Sequence, residues 1–162
     1  LEPLRLEHAK EMASLLDDQD LHEFIGGHPS TPEELQRRYT RQIRGSSADG
    51  TEGWLNWIVR RLQNGAAVGT VQATLRRTDG RMSAEVAWVI AGPYQRQGYA
   101  REAAVGMVDW LRQRGADILV AHIHPQHAAS IGVATHLGLR PTNVIVDGEV
   151  RWVSLTGAAR TP

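Results

Sequence analysis

One hundred and sixty-two residues, 41% of them apolar, suffice for one domain of ordinary size and not for two. Eighteen Lys and Arg side chains balance eighteen Asp and Glu, which argues against a basic nucleic-acid protein and against an acidic disordered tail. The chain has no cysteine, so disulfide frameworks, thiolate zinc sites and cysteine nucleophiles are excluded together.

In chain order, residues 1–6 predict a short strand, and residues 7–16 a helix with Ala9, Met12, Ala13 and Leu16 at helical spacing. Asp17, Asp18, Asp20, Gly26, Gly27 and Pro29 make residues 17–30 mostly loop. Thr31-Pro32-Glu33-Glu34 is a helix start, with Thr31 as N-cap, Pro32 in the first turn and Glu34 reaching back as a capping box. That helix runs to about Arg44, where residues 45–50 break it. The period then changes to two over residues 54–60, 67–76 and 81–90, with Asn64-Gly65 and Asp79-Gly80 as hairpin turns between them. A helix follows Pro93 over residues 98–114, placing Ala104, Met107, Val108 and Leu111 on one face and ending at Gly115. Residues 118–123 are nearly all apolar, as expected of a central strand covered on both faces. A helix over 127–137 ends at Gly138, and strands 143–146 and 150–155 close a hairpin about Asp147-Gly148. Without repeats or linkers, this order describes a single mixed α/β domain over residues 1–162. Its sheet is mainly antiparallel, of about six to seven strands flanked by about four helices.

The chemistry concentrates after the third central strand, where a glycine-containing turn opens directly into a helix. Free backbone N–H groups at such a turn, together with the positive end of the helix dipole, bind phosphate oxygens. A dinucleotide-binding loop would need three spaced glycines after an early parallel strand, and a P-loop a Gly-Lys-Ser/Thr ending; neither is present.

Gln95-x-x-Gly98-x-Ala100, after a strand and before a helix, resembles the acyl-CoA signature of the GNAT superfamily of N-acetyltransferases. The element order matches that fold over nearly the whole chain. A second stretch resembles the strand-to-helix segment of the branch that contains the ribosomal-protein N-terminal acetyltransferases and small-amine acetyltransferases. It comprises His124-Pro125-Gln126-His127, Ser130, Val133 and Leu137-Gly138-Leu139. It departs at His127, where the family usually has an asparagine that helps hold the pantetheine arm. An imidazole can also donate there, but its charge depends on pH.

The resemblance implies an acetyl-CoA-dependent transfer to a primary amine of a small molecule or a protein N-terminus. It places the co-substrate against Trp88, Val89 and Ile90, then Gln95, Arg96, Gln97, Gly98, Tyr99, Ala100 and Arg101 in the turn, and His127 and Ser130 beyond. Such a reaction needs a neutral amine, a held oxyanion and a departing thiolate. Deprotonating an alkylamine at pH 7 costs roughly 4.6 kcal/mol, an N-terminal α-amine only about 1–1.4 kcal/mol. Glu85, the one carboxylate in the strand 82–90, falls on the family's glutamate in Glu85-Val86-Ala87-Trp88 and is the candidate base, acting through a water. Ser130 falls on the family's serine and is expected to position the leaving sulfur, with a backbone N–H near Val89 or Ile90 on the oxyanion.

Each of these residues also has a plainer reading. Glu85 reads equally as a solvent-facing strand residue, Ser130 as a helix serine bonded to its own backbone, and Arg96 and Arg101 as solvated charges. His122, His124, His127 and His136 invite a metal site, but the region lacks thiolates and carries only Asp117 as a nearby carboxylate, so no metal is expected. The five tryptophans read as core or cleft wall, since no basic stripe accompanies them. Asp17, Asp18, Asp20 and Glu23 border the acceptor site in that fold, and read equally as a solvated loop. No signal peptide and no apolar run of roughly 18 residues is seen, so a cytoplasmic chain is expected, as monomer or homodimer, without membrane or nucleic acid. Two alternatives stand beside the enzyme: a non-catalytic acyl-CoA-binding module, and an interaction domain that has lost the cofactor.

Overall fold

Asp79 and Gly80, at φ 51° and 77°, form the positive-φ pair of a two-residue hairpin turn. They fold β3 (Ala67–Thr78) against β4 (Arg81–Ile90), with Thr78 paired to Arg81. Asp147 and Gly148, at φ 51° and 84°, do the same between β6 (Arg140–Val146) and β7 (Glu149–Leu155). With β1 (Glu2–Pro3), β2 (Glu52–Arg60) and β5 (Ala116–Ile123), these strands make one seven-stranded sheet in the order β1-β2-β3-β4-β5-β7-β6. The structure is a computed structural model, and it describes residues 1–155. Every neighbouring pair is antiparallel except β4 with β5.

Five helices flank the sheet among the described residues: α1 (His8–Leu15), α2 (His22–Ile25), α3 (Pro32–Gln42), α4 (Tyr99–Gln113) and α5 (Ala128–His136). The capping box of α3 forms as its sequence requires. Thr31 Oγ1 accepts the Glu34 N–H at 3.2 Å, and Glu34 Oε2 accepts the Thr31 N–H at 2.8 Å.

Two stretches differ from the sequence reading. The first strand keeps only two residues: the Leu4 N–H makes its last bond to β2, to the Asn56 carbonyl at 2.9 Å, and the chain then turns, with the Arg5 N–H going to His8 Nδ1 at 3.1 Å. The stretch 17–30, expected as mostly loop, holds a 3₁₀ turn (Gln19–Leu21) and the four-residue α2, so the helices number five rather than about four. Asp18 caps that turn through Oδ1, which accepts the Asp20 N–H at 3.0 Å.

Apolar residues divide between the two faces. On one, Met107, Val108 and Leu111 of α4 and Val133, Ala134 and Leu137 of the α5 end pack on Val71, Val86, Leu119 and Ile123. On the other, Ala9, Met12, Leu35 and Tyr39 of α1 and α3 close over Ile58 and Ala67. The second layer covers only the β1–β3 end, which leaves the rest of that face open for polar side chains.

Candidate active site

β4 and β5 stay paired through Glu85 and Val120, and beyond that no pairing joins them. β4 runs on to Ile90 and β5 to Ile123, so the sheet parts at Glu85. Strand alternation settles which backbone groups face the gap. The Ala91 N–H donates to the Val68 carbonyl of the β3 side at 2.9 Å, so the Val89 N–H turns to β3 as well. The Trp88 and Ile90 N–H groups turn the other way, into the opening. Of the two oxyanion candidates named from the sequence, only Ile90 therefore faces the gap, and Trp88 joins it.

The same alternation lines up side chains. Glu52 pairs with Arg76, Thr74 with Glu85, and Glu85 with Val120, two residues before His122. Glu52, Arg76, Glu85 and His122 therefore share one face of four successive strands. Arg76 donates from Nη1 to Glu85 Oε2 at 2.8 Å and from Nε to Glu52 Oε1 at 2.8 Å. Trp54 Nε1 donates to the other Glu52 oxygen at 3.0 Å. The second Glu85 oxygen, Oε1, lies 3.0 Å from His122 Nδ1. Burial pushes the Glu85 carboxyl up, but the bonds to Arg76 and His122 outweigh it and hold the group below its usual range.

Two cavities meet at Ala87, Trp88 and Val89. The outer one, of about 370 Å³, is lined by Glu52, Arg76, Glu85, His122, Ser130 and Glu149 among others. The inner one, of about 180 Å³, runs beneath α1 and α3 past Leu35, Arg38, Tyr39, Asn56, Trp57 and Gln72. Asp17, Asp18, Asp20 and Glu23 line neither. Asp18 instead lies over Gly92, where a Cβ would come within 2.7 Å of its Oδ2.

The turn before α4 is held from within. Gln95 Nε2 donates to the Ile90 carbonyl and Gln97 Nε2 to the Pro93 carbonyl, both at 3.0 Å. Arg96 and Gly98 take positive φ, 59° and 88°. Glu102 makes the first intrahelical bond, to the Gly98 carbonyl, and no side chain caps the end. The N–H groups of Gly98, Tyr99, Ala100 and Arg101 therefore precede the ladder as a free anion-binding set. Arg96 and Arg101 are exposed beside it, and Tyr99 packs edge-on against Tyr94 with ring centres 6.4 Å apart.

Ser130 and His127 are both engaged. Trp88 Nε1 donates to Ser130 Oγ at 3.3 Å, which orients the hydroxyl across the gap. His127 stacks on Phe24 of α2, ring centres 4.6 Å apart and 7° from parallel, and burial together with nearby His124 holds its pKa below the usual value. His136 is exposed, away from both cavities. Among the described residues, no group of three or more His, Asp or Glu side chains is arranged to hold a metal ion.

Sequence reasoning placed Glu85, Ser130 and the turn, and missed Glu52, Arg76 and Phe24 altogether. From the sequence, His122 is one of four histidines expected to line the cleft or pack, with no role of its own. Its signal was available, since it is the one titratable side chain in the otherwise apolar run 118–123.

A sheet that parts beside an uncapped helix N-terminus is the layout of the GNAT acetyltransferase fold. The chain belongs to the GNAT acetyltransferase family, whose domain model, described as "Acetyltransferase (GNAT) domain", matches residues 1–140. Solved structures with the same fold include a ribosomal-protein-S5-alanine acetyltransferase from Vibrio fischeri, 16% identical, covering 97% of this chain and 92% of that one at TM-score 0.76. A GNAT-family acetyltransferase from Bacillus anthracis is 18% identical, covering 96% and 93% at TM-score 0.75. Spermidine N-acetyltransferase from Vibrio cholerae, in complex with CoA and spermine, is 17% identical, covering 96% and 94% at TM-score 0.74. No curated protein sequence matches the chain. No helix among the described residues is long and apolar enough to cross a membrane.

Proposed function

We propose that the protein is an acetyl-CoA-dependent N-acetyltransferase that moves the acetyl group directly to a primary amine of a small molecule or a protein N-terminus. One observation carries the reading: the uncapped N–H groups of Gly98, Tyr99, Ala100 and Arg101 stand at the mouth of the gap whose parting holds Glu85 and His122. The turn fits a pyrophosphate. Its N–H groups have no competing cap, and Gly98 at φ 88° exposes them without a Cβ. Arg96 and Arg101 add positive charge beside it.

A pantetheine arm laid through the gap brings its thioester to the Trp88 and Ile90 N–H groups, which stabilise the oxyanion. Ser130, oriented by Trp88, positions the leaving sulfur. A thiol leaves readily as thiolate, so it asks little of an acid. The acceptor approaches along the inner cavity, and its proton leaves to the Glu85–His122 pair. None of the four histidines is a metal ligand in this reading, and the protein works in the cytoplasm. The solved neighbour from Vibrio cholerae carries CoA, and one from Salmonella typhimurium carries acetyl-CoA, which supports this choice of co-substrate.

Thermal melting with saturating acetyl-CoA tests the reading. At 100 times its dissociation constant the ligand stabilises by about 2.7 kcal/mol. At about 2–4 °C per kcal/mol for a chain near this size, that is a rise of several degrees. Ala100→Glu, which sets a carboxylate among the phosphate-facing N–H groups, is expected to abolish the rise. Absence of a rise in the wild type sinks the enzyme and the acyl-CoA-binding module together, and leaves an interaction domain.

A further inference from the structure

We propose that His122 is the group that takes the proton from the acceptor amine, with Glu85 and Arg76 as positioning residues behind it. The inference rests on the amine-transfer reading and assigns the base within it. Both Glu85 oxygens already have partners. Oε2 receives the Arg76 guanidinium at 2.8 Å, and Oε1 lies 3.0 Å from His122 Nδ1. A carboxylate held between a guanidinium and an imidazole N–H is a poor proton acceptor, because protonation would give up the charge-assisted bonds it makes to both.

The imidazole is arranged the opposite way. A carboxylate at Nδ1 fixes the neutral tautomer with its proton there, so the lone pair is on Nε2. Nε2 makes no hydrogen bond to the described protein, is not among the buried polar atoms lacking a partner, and belongs to a side chain that lines the outer cavity. The base is thus open to the space a substrate would fill, while its orienting carboxylate is tied down from behind. Arg76 is anchored in turn by Glu52, itself fixed by Trp54, so the chain of contacts crosses four strands. The other charged or titratable groups around His122 are Arg151, its cross-strand neighbour on β7, Glu149 in the same cavity, and His124 and His127 in the segment between β5 and α5.

The step balances simply. The ammonium gives one proton to His122 Nε2, and the freed nitrogen lone pair forms a C–N bond to the thioester carbonyl carbon. The C–S bond then breaks with its electron pair on sulfur, the second nitrogen proton goes to that sulfur, and the imidazolium returns its proton to solvent. The products are the acetamide and the free thiol.

Histidine side-chain ¹⁵N NMR on the wild type tests the arrangement without either substrate. Neutral His122 is expected to carry its proton on Nδ1, and Glu85→Gln to disturb that tautomer. A proton on Nε2 in the neutral ring overturns the proposal. Thiol release from acetyl-CoA with propylamine at high concentration supplies the second readout. His122→Ala is expected to lower kcat about 10²–10⁴-fold. Added imidazole is expected to restore part of the rate, saturably, and the acetyl-CoA melting shift to persist. Retention of the wild-type rate by His122→Ala, or rescue by His122→Gln where imidazole fails, overturns it. A wild type whose melting acetyl-CoA leaves unmoved fails at the proposed function instead, and the two failures are told apart by the tautomer.

Discussion

At His127 the Phe24 ring lies nearly parallel, 4.6 Å away, joining α2 to the start of α5 across the parted sheet. The ring also sits near His124, and burial is the larger reason its pKa lies below the usual 6.5. The sign follows from linkage: the unfolded chain takes up this proton first as pH falls. The His127 contribution to stability is therefore complete above pH 6.5 and is lost as pH falls through the lowered folded-state value. His127→Asn, which keeps a donor but cannot titrate, is expected to show a flatter melting temperature between pH 7 and pH 5. A slope equal to the wild type's would place the acid sensitivity elsewhere. The sequence disclosed this departure from the family's asparagine because the flanking His124-Pro125 and Ser130 fix its position. It could not disclose the stacking partner, since α2 is one helical turn whose place depends on the whole α1–α3 layer. Contacts of that kind are set by tertiary packing, which local spacing does not carry.

Turns and caps were the most legible elements. Asp-Gly at 79–80 and 147–148, the Thr31-to-Glu34 box and Gly115 after α4 each act through their own backbone, so local chemistry decides them. Strand register was less legible, and the candidate site depends on it. Arg76 meets Glu85 only because Thr74 and Glu85 are paired, and a slip of one residue would turn Arg76 to the other face. Gly69 helps fix that register. A Cβ built there would lie 2.1 Å from the Val89 carbonyl oxygen and 2.9 Å from Ile90 Cα, both backbone atoms, so β3 and β4 cannot keep this approach with any larger residue. Its backbone is not in the left-handed region, so the constraint is space alone. Gly69→Ala is expected to destabilise by about 1–3 kcal/mol, as overpacking does. Thermal melting would register this as a drop of several degrees, with the acetyl-CoA shift reduced because Trp88 to Ile90 line the gap. An unchanged melting temperature would mean that the strands part without cost.

Across the whole molecule the two faces of the sheet are unequally held. Among the described residues, the cluster beneath α4 and α5 contains twenty-one buried residues, Met107 and Leu119 at 0% exposure among them, whereas the cluster beneath α1 and α3 contains seven. The smaller layer also roofs the inner cavity, so its packing is interrupted by open space. What fastens it is partly ionic. Arg60 of β2 pairs with Glu2 of β1 and, through Nη1 and Nη2, with Glu11 of α1 at 2.8 and 2.9 Å. Such pairs are partly exposed and weaken as salt rises, whereas the α4 face is held by apolar burial that salt does not screen. Local opening should therefore begin in the α1–α3 layer. Native-state hydrogen exchange is expected to give the amides of α1 and α3 a lower opening free energy than those of α4 and β5, with the gap widening at high salt. Under the proposed function, an amine bound in the inner cavity is expected to narrow the gap, because a ligand of the closed layer stabilises it against opening. Equal opening energies across both faces would instead mean that the domain unfolds as one cooperative unit, with the inner cavity as rigid as the core behind it.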